Sequence, residues 1–220
     1  MSGGEYASFS SNGETLVFVG ISDVKIKKKR DYDTTFATMS INILDIKKGI
    51  IKTILKSPET FLDAGYIYSN PSLSPDGKLI AFQHSGSDVS GGFSVIDMKG
   101  KTVFSFPLKD SDAKPYWRPQ FTPDGNGILF YSPATSDNEK DMIFLIDIKK
   151  GTKRLITEGA NPVFACSGEA IIFEQWRDKW SPTSDASPDL WFLELKEGAI
   201  PKMILKNASS PGGHYYCSQK

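Results

Sequence analysis

Pro119-Gln-Phe-Thr-Pro-Asp-Gly-Asn-Gly-Ile-Leu-Phe-Tyr131 is the stretch whose reading decides the fold. Arg118 to Thr122 reads as a short strand, Thr122 to Gly125 as a tight turn and Gly127 to Tyr131 as a second strand. Proline sets φ at the first corner of such a turn, and glycine takes the positive φ that follows. Downstream, Asp141-Met-Ile-Phe-Leu-Ile-Asp147 is a third strand. The charged turn Asp147-Ile-Lys-Lys-Gly151 then leads to an outer fourth strand, Thr152-Lys-Arg-Leu-Ile156. The result is an antiparallel run of four short strands bounded by turn signals.

The same grammar recurs. Ala7-Ser-Phe-Ser-Ser-Asn-Gly13, Pro71-Ser-Leu-Ser-Pro-Asp-Gly77 and Pro162-Val-Phe-Ala-Cys-Ser-Gly168 match the turn, and each is followed by an apolar strand. Third strands run Met39–Asp45, Gly92–Asp97 and Leu190–Glu194, each closed by a charged turn ending at Gly49, Gly100 or Gly198. Outer strands follow at Ile51–Leu55, Thr102–Phe106 and Pro201–Leu205. Self-similarity at roughly 40–50 residues marks a propeller or solenoid, and four antiparallel strands in succession make one propeller blade. The expected fold is therefore an all-β propeller of four-stranded blades, at about 5–56, 69–108, 117–157 and 160–206. A β-sandwich also has many short strands, but has no reason to repeat one turn in register. Residues 212–220 read as the start of a fifth repeat, so the four blades are expected to belong to a larger ring of six or more.

Composition excludes more than it assigns. Lys and Arg number 26 and so do Asp and Glu, so no global charge draws the chain to nucleic acid or an anionic membrane. No run of eighteen apolar residues is present, so no membrane span is expected. The opening Met-Ser-Gly-Gly-Glu-Tyr lacks the features of a secretory leader, which leaves a cytoplasmic protein or one whose leader has been removed. Cys166 and Cys217 form no disulfide scaffold, and with only His84 and His214 no structural zinc set is expected. The cysteines read first as two small buried thiols.

The Pro-x-Phe-Ser/Thr-Pro-Asp-Gly pattern, with its Phe-Leu-Ile-Asp-type strand and glycine turn, resembles the TolB-like propeller repeat, sometimes described as WD-like. Copies two and three carry it best, at Pro71–Phe82 and Pro119–Phe130, while copies one and four replace Pro-Asp-Gly by Ser-Asn-Gly and Cys-Ser-Gly. The Gly-His and Trp-Asp dipeptides of true WD repeats are missing. The resemblance covers almost the whole chain and implies architecture rather than chemistry. It also implies a periplasmic or cell-envelope setting. Relatives of the repeat include the propellers that gate prolyl-oligopeptidase-type enzymes.

Within such a blade, the first-to-second and third-to-fourth turns share one end and are short here. Length variation falls on the opposite end, in Ile21 to Phe36, His84 to Gly91, Ser132 to Lys140, Gln175 to Asp189 and the link Ser57 to Ser69. Variable loops on a rigid scaffold are where binding residues tend to be carried. That end holds Tyr66, Tyr68, Tyr116, Trp117, Arg118, Trp176, Arg177 and Trp180. Tyr, Trp and Arg are the types most often found as interface hot spots. Tyr68, Tyr116, Trp117, Arg118, Trp176, Arg177 and Trp180 are the candidate binding residues, Trp180 being the expected exposed anchor. For Trp117 and Trp176 packing between blades is an equal reading, and Trp191 is expected in the core. Lys25 to Arg30 reads first as a solvated loop or hairpin tip, offset by Asp31 and Asp33. Asp45, Asp97, Asp147 and Glu194 recur at one blade position and read as turn formers.

No serine-hydrolase elbow, phosphate loop or dinucleotide fingerprint occurs, so no catalytic residue, cofactor or metal is assigned. His84 lies near Ser85, Ser87 and Asp88, but neighbours in one loop rarely hold a triad. Ser87-Asp-Val-Ser and Ser136–Glu139 lack the alternating oxygen ligands of a calcium loop. Asn207-Ala-Ser209 fits a glycosylation sequon, relevant only in a eukaryotic secretory protein. Three functions compete. They are a non-catalytic scaffold binding a protein or peptide, the gating propeller of a larger hydrolase, and a propeller enzyme or sugar binder using Glu174, Asp178 and Asp185. The first is preferred, with self-association expected if the propeller is incomplete.

Overall fold

The computed structural model describes residues 3–28, 33–61, 68–86, 89–107, 117–134, 140–176 and 187–209. The first sheet comprises β1 (Gly3–Phe9), β2 (Thr15–Lys28), β3 (Asp33–Asp45) and β4 (Ile50–Phe61). The second comprises β5 (Tyr68–Leu73), β6 (Leu79–Gly86), β7 (Val89–Asp97) and β8 (Thr102–Pro107). The third is built of β9 (Trp117–Phe121), β10 (Gly127–Ser132), β11 (Met142–Asp147) and β12 (Lys153–Glu158), and the fourth of β13 (Ala160–Ala165), β14 (Ala170–Gln175), β15 (Asp189–Glu194) and β16 (Lys202–Leu205). Each sheet follows chain order, and the pairings between successive strands are antiparallel. Among the described residues the only helical element is one 3-10 turn at Cys166–Gly168. The four sheets are propeller blades, as the repeats imply.

The repeated turn explains its own sequence. Ser74 Oγ donates to Asp76 Oδ1 at 2.8 Å and accepts from Leu79 N at 2.9 Å, while Asp76 Oδ1 accepts from Lys78 N at 3.1 Å. Thr122 and Asp124 make the same set, with Asn126 N and Gly127 N as donors at 3.0 and 2.9 Å. Ser10 and Asn12 repeat it with Glu14 N and Thr15 N. In the fourth copy Ala165 and Ser167 replace the hydroxyl and carboxylate residues. That turn tightens into the 3-10 form, with Ser167 at φ 56°. The charged turns behave as expected: Asp45 accepts from Lys48 N, Asp97 from Lys99 N and Lys101 N, and Asp147 from Lys149 N and Lys150 N.

Packing divides the chain into two compact units, Met1–Phe121 and Thr122–Lys220. In the first, Val17, Val19, Met39 and Ile41 of the first sheet meet Ile80, Phe82 and Ile96 of the second. In the second, Leu129, Tyr131 and Ile143 meet Phe164, Ile171, Phe173 and Leu193. Trp191 is half-buried against this second cluster, with its indole Nε1 buried and without a hydrogen-bond partner.

Three expected loops are ladder instead. Within Ile21 to Phe36, the described residues belong to β2 and β3, paired from Ile21↔Met39 to Lys28↔Asp33 across a bulge at Asp23 (φ 54°). His84 to Gly91 is likewise mostly strand, closing with Gly86↔Val89. The described start of the Ser57 to Ser69 link, Ser57–Phe61, continues β4, paired to Phe36↔Phe61. Alternating Lys25, Lys27 with Val24, Ile26 supports a strand as well as a loop, and pairing with Asp33–Phe36 decides between them. Lys25 pairs with Glu59, Lys56 with Asp23 at 3.4 Å, and Lys27 Nζ sits 4.2 Å from the Phe36 ring. The basic run is thus part of a cross-strand charge lattice, so far as it is described.

Candidate functional site

The first strand of every sheet carries a feature absent from the sequence reading. Tyr6, Asn70, Arg118 and Asn161 all adopt positive φ, between 48° and 53°. Each directly precedes the Ala or Pro that opens the repeat: Ala7, Pro71, Pro119 and Pro162. In three sheets the ladder shows a bulge there, two residues facing one: Glu5↔Val19 then Ser8↔Val17, Ser69↔Gln83 then Ser72↔Ala81, Ala160↔Glu174 then Val163↔Ile172. Such bulges re-aim a side chain, and a non-glycine residue in this conformation costs on the order of 1–3 kcal/mol.

Two of these residues face inward to their own sheet. Asn70 Nδ2 donates to Gln83 Oε1 at 3.1 Å, and Asn161 Nδ2 to Glu174 Oε2 at 2.7 Å. Glu174 is only 4% exposed on β14, so it is a structural carboxylate rather than the loop group considered from sequence. Arg118 differs. It is half-buried, and among the described residues its guanidinium has neither a carboxylate nor a hydrogen-bond partner. Its backbone is fixed, because Pro119 O accepts from Ser72 Oγ of β5 at 2.8 Å. Trp117 beside it is 40% exposed.

The other sequence candidates separate. Tyr68 is half-buried and packs edge-on against Phe82, with centroids 5.3 Å apart, and burial raises its phenol pKa. Its ring belongs to the first apolar cluster, which favours the packing role. Trp176 follows the end of β14, half-buried. Tyr68, Trp117 and Trp176 each stand at the end of their own sheet opposite the short turns. Arg118 and Tyr68 stand on adjacent strands of the first unit, whereas Trp176 is in the second. Tyr116, Arg177 and Trp180, with Tyr66, Asp178, Asp185 and Cys217, lie outside the described residues.

His84 is buried and bonds through Nε2 to Ser94 Oγ at 3.0 Å, and Ser94 Oγ lies 3.2 Å from Ser105 Oγ. That chain crosses β6, β7 and β8 from the buried His84 to the exposed Ser105, so among the described hydrogen bonds its serine is Ser94 of β7. Among the described residues no three His, Cys, Asp or Glu side chains gather as a metal set, and no helix is long and apolar enough to cross a membrane.

No family model matches the chain, and no curated protein sequence does. Solved structures do. TolB from Acinetobacter baumannii superposes with TM-score 0.63 at 16% identity, covering 93% of this chain and 44% of TolB. An oligogalacturonate lyase from Vibrio parahaemolyticus gives 0.65 at 14%, covering 95% and 55%. The β-propeller domain of the Trilobed protease from Pyrococcus furiosus gives 0.51 at 15%, covering 93% and 58%. The fold is therefore that of a TolB-like β-propeller, and the chain spans about half the length of these structures.

Proposed function

We propose that the chain is a propeller scaffold that binds a protein or peptide, without chemistry of its own, through the sheet end that carries Trp117 and Arg118. The observation that supports this most is Trp117 and Arg118 together: an exposed indole beside a guanidinium without a partner, on a strand start locked by Ser72. By contrast, the turn aspartates are engaged by backbone donors, and Glu174 is buried. Tyr116 directly precedes Trp117 and joins this proposed surface by sequence position; Trp176, with Arg177 and Trp180 by sequence, is proposed as a separate contact on the second unit.

The test is selection of twelve-residue peptides from a random display library on the wild-type chain, followed by affinity measurement on a Trp117→Ala variant. Selected peptides should lose about tenfold or more, as hot-spot truncations costing above 1–2 kcal/mol do. Unchanged affinity with an unchanged melting curve would reject this surface. A gating propeller of a larger prolyl-oligopeptidase-like hydrolase is the second reading, drawn from the likeness to a protease propeller domain. It would gain if selection on the wild-type chain returned no peptide at all.

A further inference from the structure

Asn70, Arg118 and Asn161 occupy one structural position, the left-handed residue before the repeat's proline. At two of the three the side chain is an amide that bonds to the neighbouring strand, Asn70 to Gln83 and Asn161 to Glu174. At the third the residue of the neighbouring strand is Tyr131, counting the same number of positions from the repeat glycine, and the side chain is a guanidinium. Local structure alone asks for Asn here, since Asn tolerates positive φ better than Arg. Arg118 therefore accepts a less suitable backbone without gaining an ion pair among the described residues.

Elsewhere the described basic groups commonly find carboxylates. Lys25, Lys47, Lys48, Lys56, Lys78, Lys140, Lys150 and Lys196 are all paired, though well exposed. Among the described lysines and arginines Arg118 is the one that is not exposed, and it has no ion pair. A half-buried guanidinium binds a carboxylate through two parallel N–H donors, more strongly than an exposed lysine does. Trp117, immediately before it, offers an apolar face for the rest of a peptide.

We infer that Arg118 is the specificity residue of the binding surface and recognises a carboxylate on an acidic peptide, with Trp117 packing the adjoining residues. The inference rests on the peptide-binding reading above and names the chemistry of its partner. The carboxylate is an Asp or Glu side chain or a free chain terminus.

The experiment uses the same display library on the full chain and on Arg118→Asn. That substitution installs the residue found at this position in the second and fourth sheets, so it keeps the fold. Peptides selected on the wild-type chain are synthesised in three forms: as found with an amidated C-terminus, with Asp and Glu changed to Asn and Gln but the terminus free, and with both changes. Fluorescence anisotropy should show the doubly changed form weakened about tenfold or more, and Arg118→Asn should abolish that difference. The two singly changed forms tell a side-chain carboxylate from a terminal one. Arg118→Lys should recover only part of the affinity, and added salt should weaken the acidic form alone.

Peptides that bind neutral and acidic forms equally, yet depend on Trp117, would overturn the inference and leave the binding surface intact. No Trp117-dependent peptide at all would overturn both. Polygalacturonate that competes with the selected peptides, and loses affinity on Arg118→Asn, would overturn the peptide in favour of an acidic polysaccharide.

Discussion

Ser74 with Asp76, and Thr122 with Asp124, show how much a single carboxylate organises. The hydroxyl of Ser74, the Lys78 ammonium and the Lys78 N–H hold Asp76 down to a pKa of about 2. Thr122 Oγ1 and the Asn126 N–H and amide do the same for Asp124, also to about 2. Because the folded values lie below the ordinary aspartate value near 4, the charged form favours folding. The stabilisation is complete above about pH 4 and is lost as pH falls toward 2. Both groups are largely exposed, so the effect is modest. Acid titration of stability by urea melts should therefore show a decline between pH 4 and 2 that flattens in an Asp76→Asn/Asp124→Asn variant. An unchanged slope would mean that these turns carry no linked proton. At this scale the turns were legible because their chemistry is local. The left-handed residues were not: Asn before Pro is a faint signal, Arg118 gives none because a residue before proline ordinarily stays extended, and Tyr6 before Ala7 carries no turn residue.

Among the elements, the first sheet departs furthest from its sequence reading. A basic run has the composition of a loop; its hairpin partners Asp33–Phe36 make it a strand, and Glu59 of β4, more than thirty residues away, pairs with Lys25. Pairing of that kind is invisible to local pattern. The same sheet supplies a sharp test. The register of β3 and β4 shifts between Thr38 and Ser40, and there Ser57 Oγ accepts from the buried Met39 N–H at 3.0 Å while donating to Pro58 O at 2.7 Å. The hydroxyl thus replaces a ladder partner across the bulge. Ser57→Ala leaves that N–H buried and orphaned, which costs about 1–3 kcal/mol. Equilibrium unfolding should register the loss, and hydrogen exchange should locate it at Met39. Exchange at Met39 as slow as in the wild type would show that another acceptor takes over.

For the molecule as a whole, repetition made the four sheets and their turns readable, whereas the partition of each binding candidate between packing and exposure was decided by burial. Tyr68 and Trp117 look alike in sequence, each opening a first strand, yet one enters the apolar cluster and the other stays 40% exposed. Repetition also repeats a hazard, since the last strand of each sheet is an edge. Edge strands resist unwanted pairing through charge, irregularity or shortness. β4 carries Lys52 and Lys56, and β12 carries Lys153 and Arg154. β16 is short but has only Lys202, and its Met203, Ile204 and Leu205 are all exposed. β8 carries no charge, but among the described last strands only β16 exposes three apolar residues in a row. Placing a charge there should reduce self-association with little effect on the fold. Ile204, 52% exposed, is the position of choice, and Ile204→Lys should shift stability by no more than about 0.5 kcal/mol. Light scattering during size exclusion, over a range of loading concentrations, should then show the variant's mass rising less steeply than that of the wild type. If both rise equally, association runs through a different surface and β16 is not the contact. If neither rises, shortness alone protects the edge and its apolar residues are harmless.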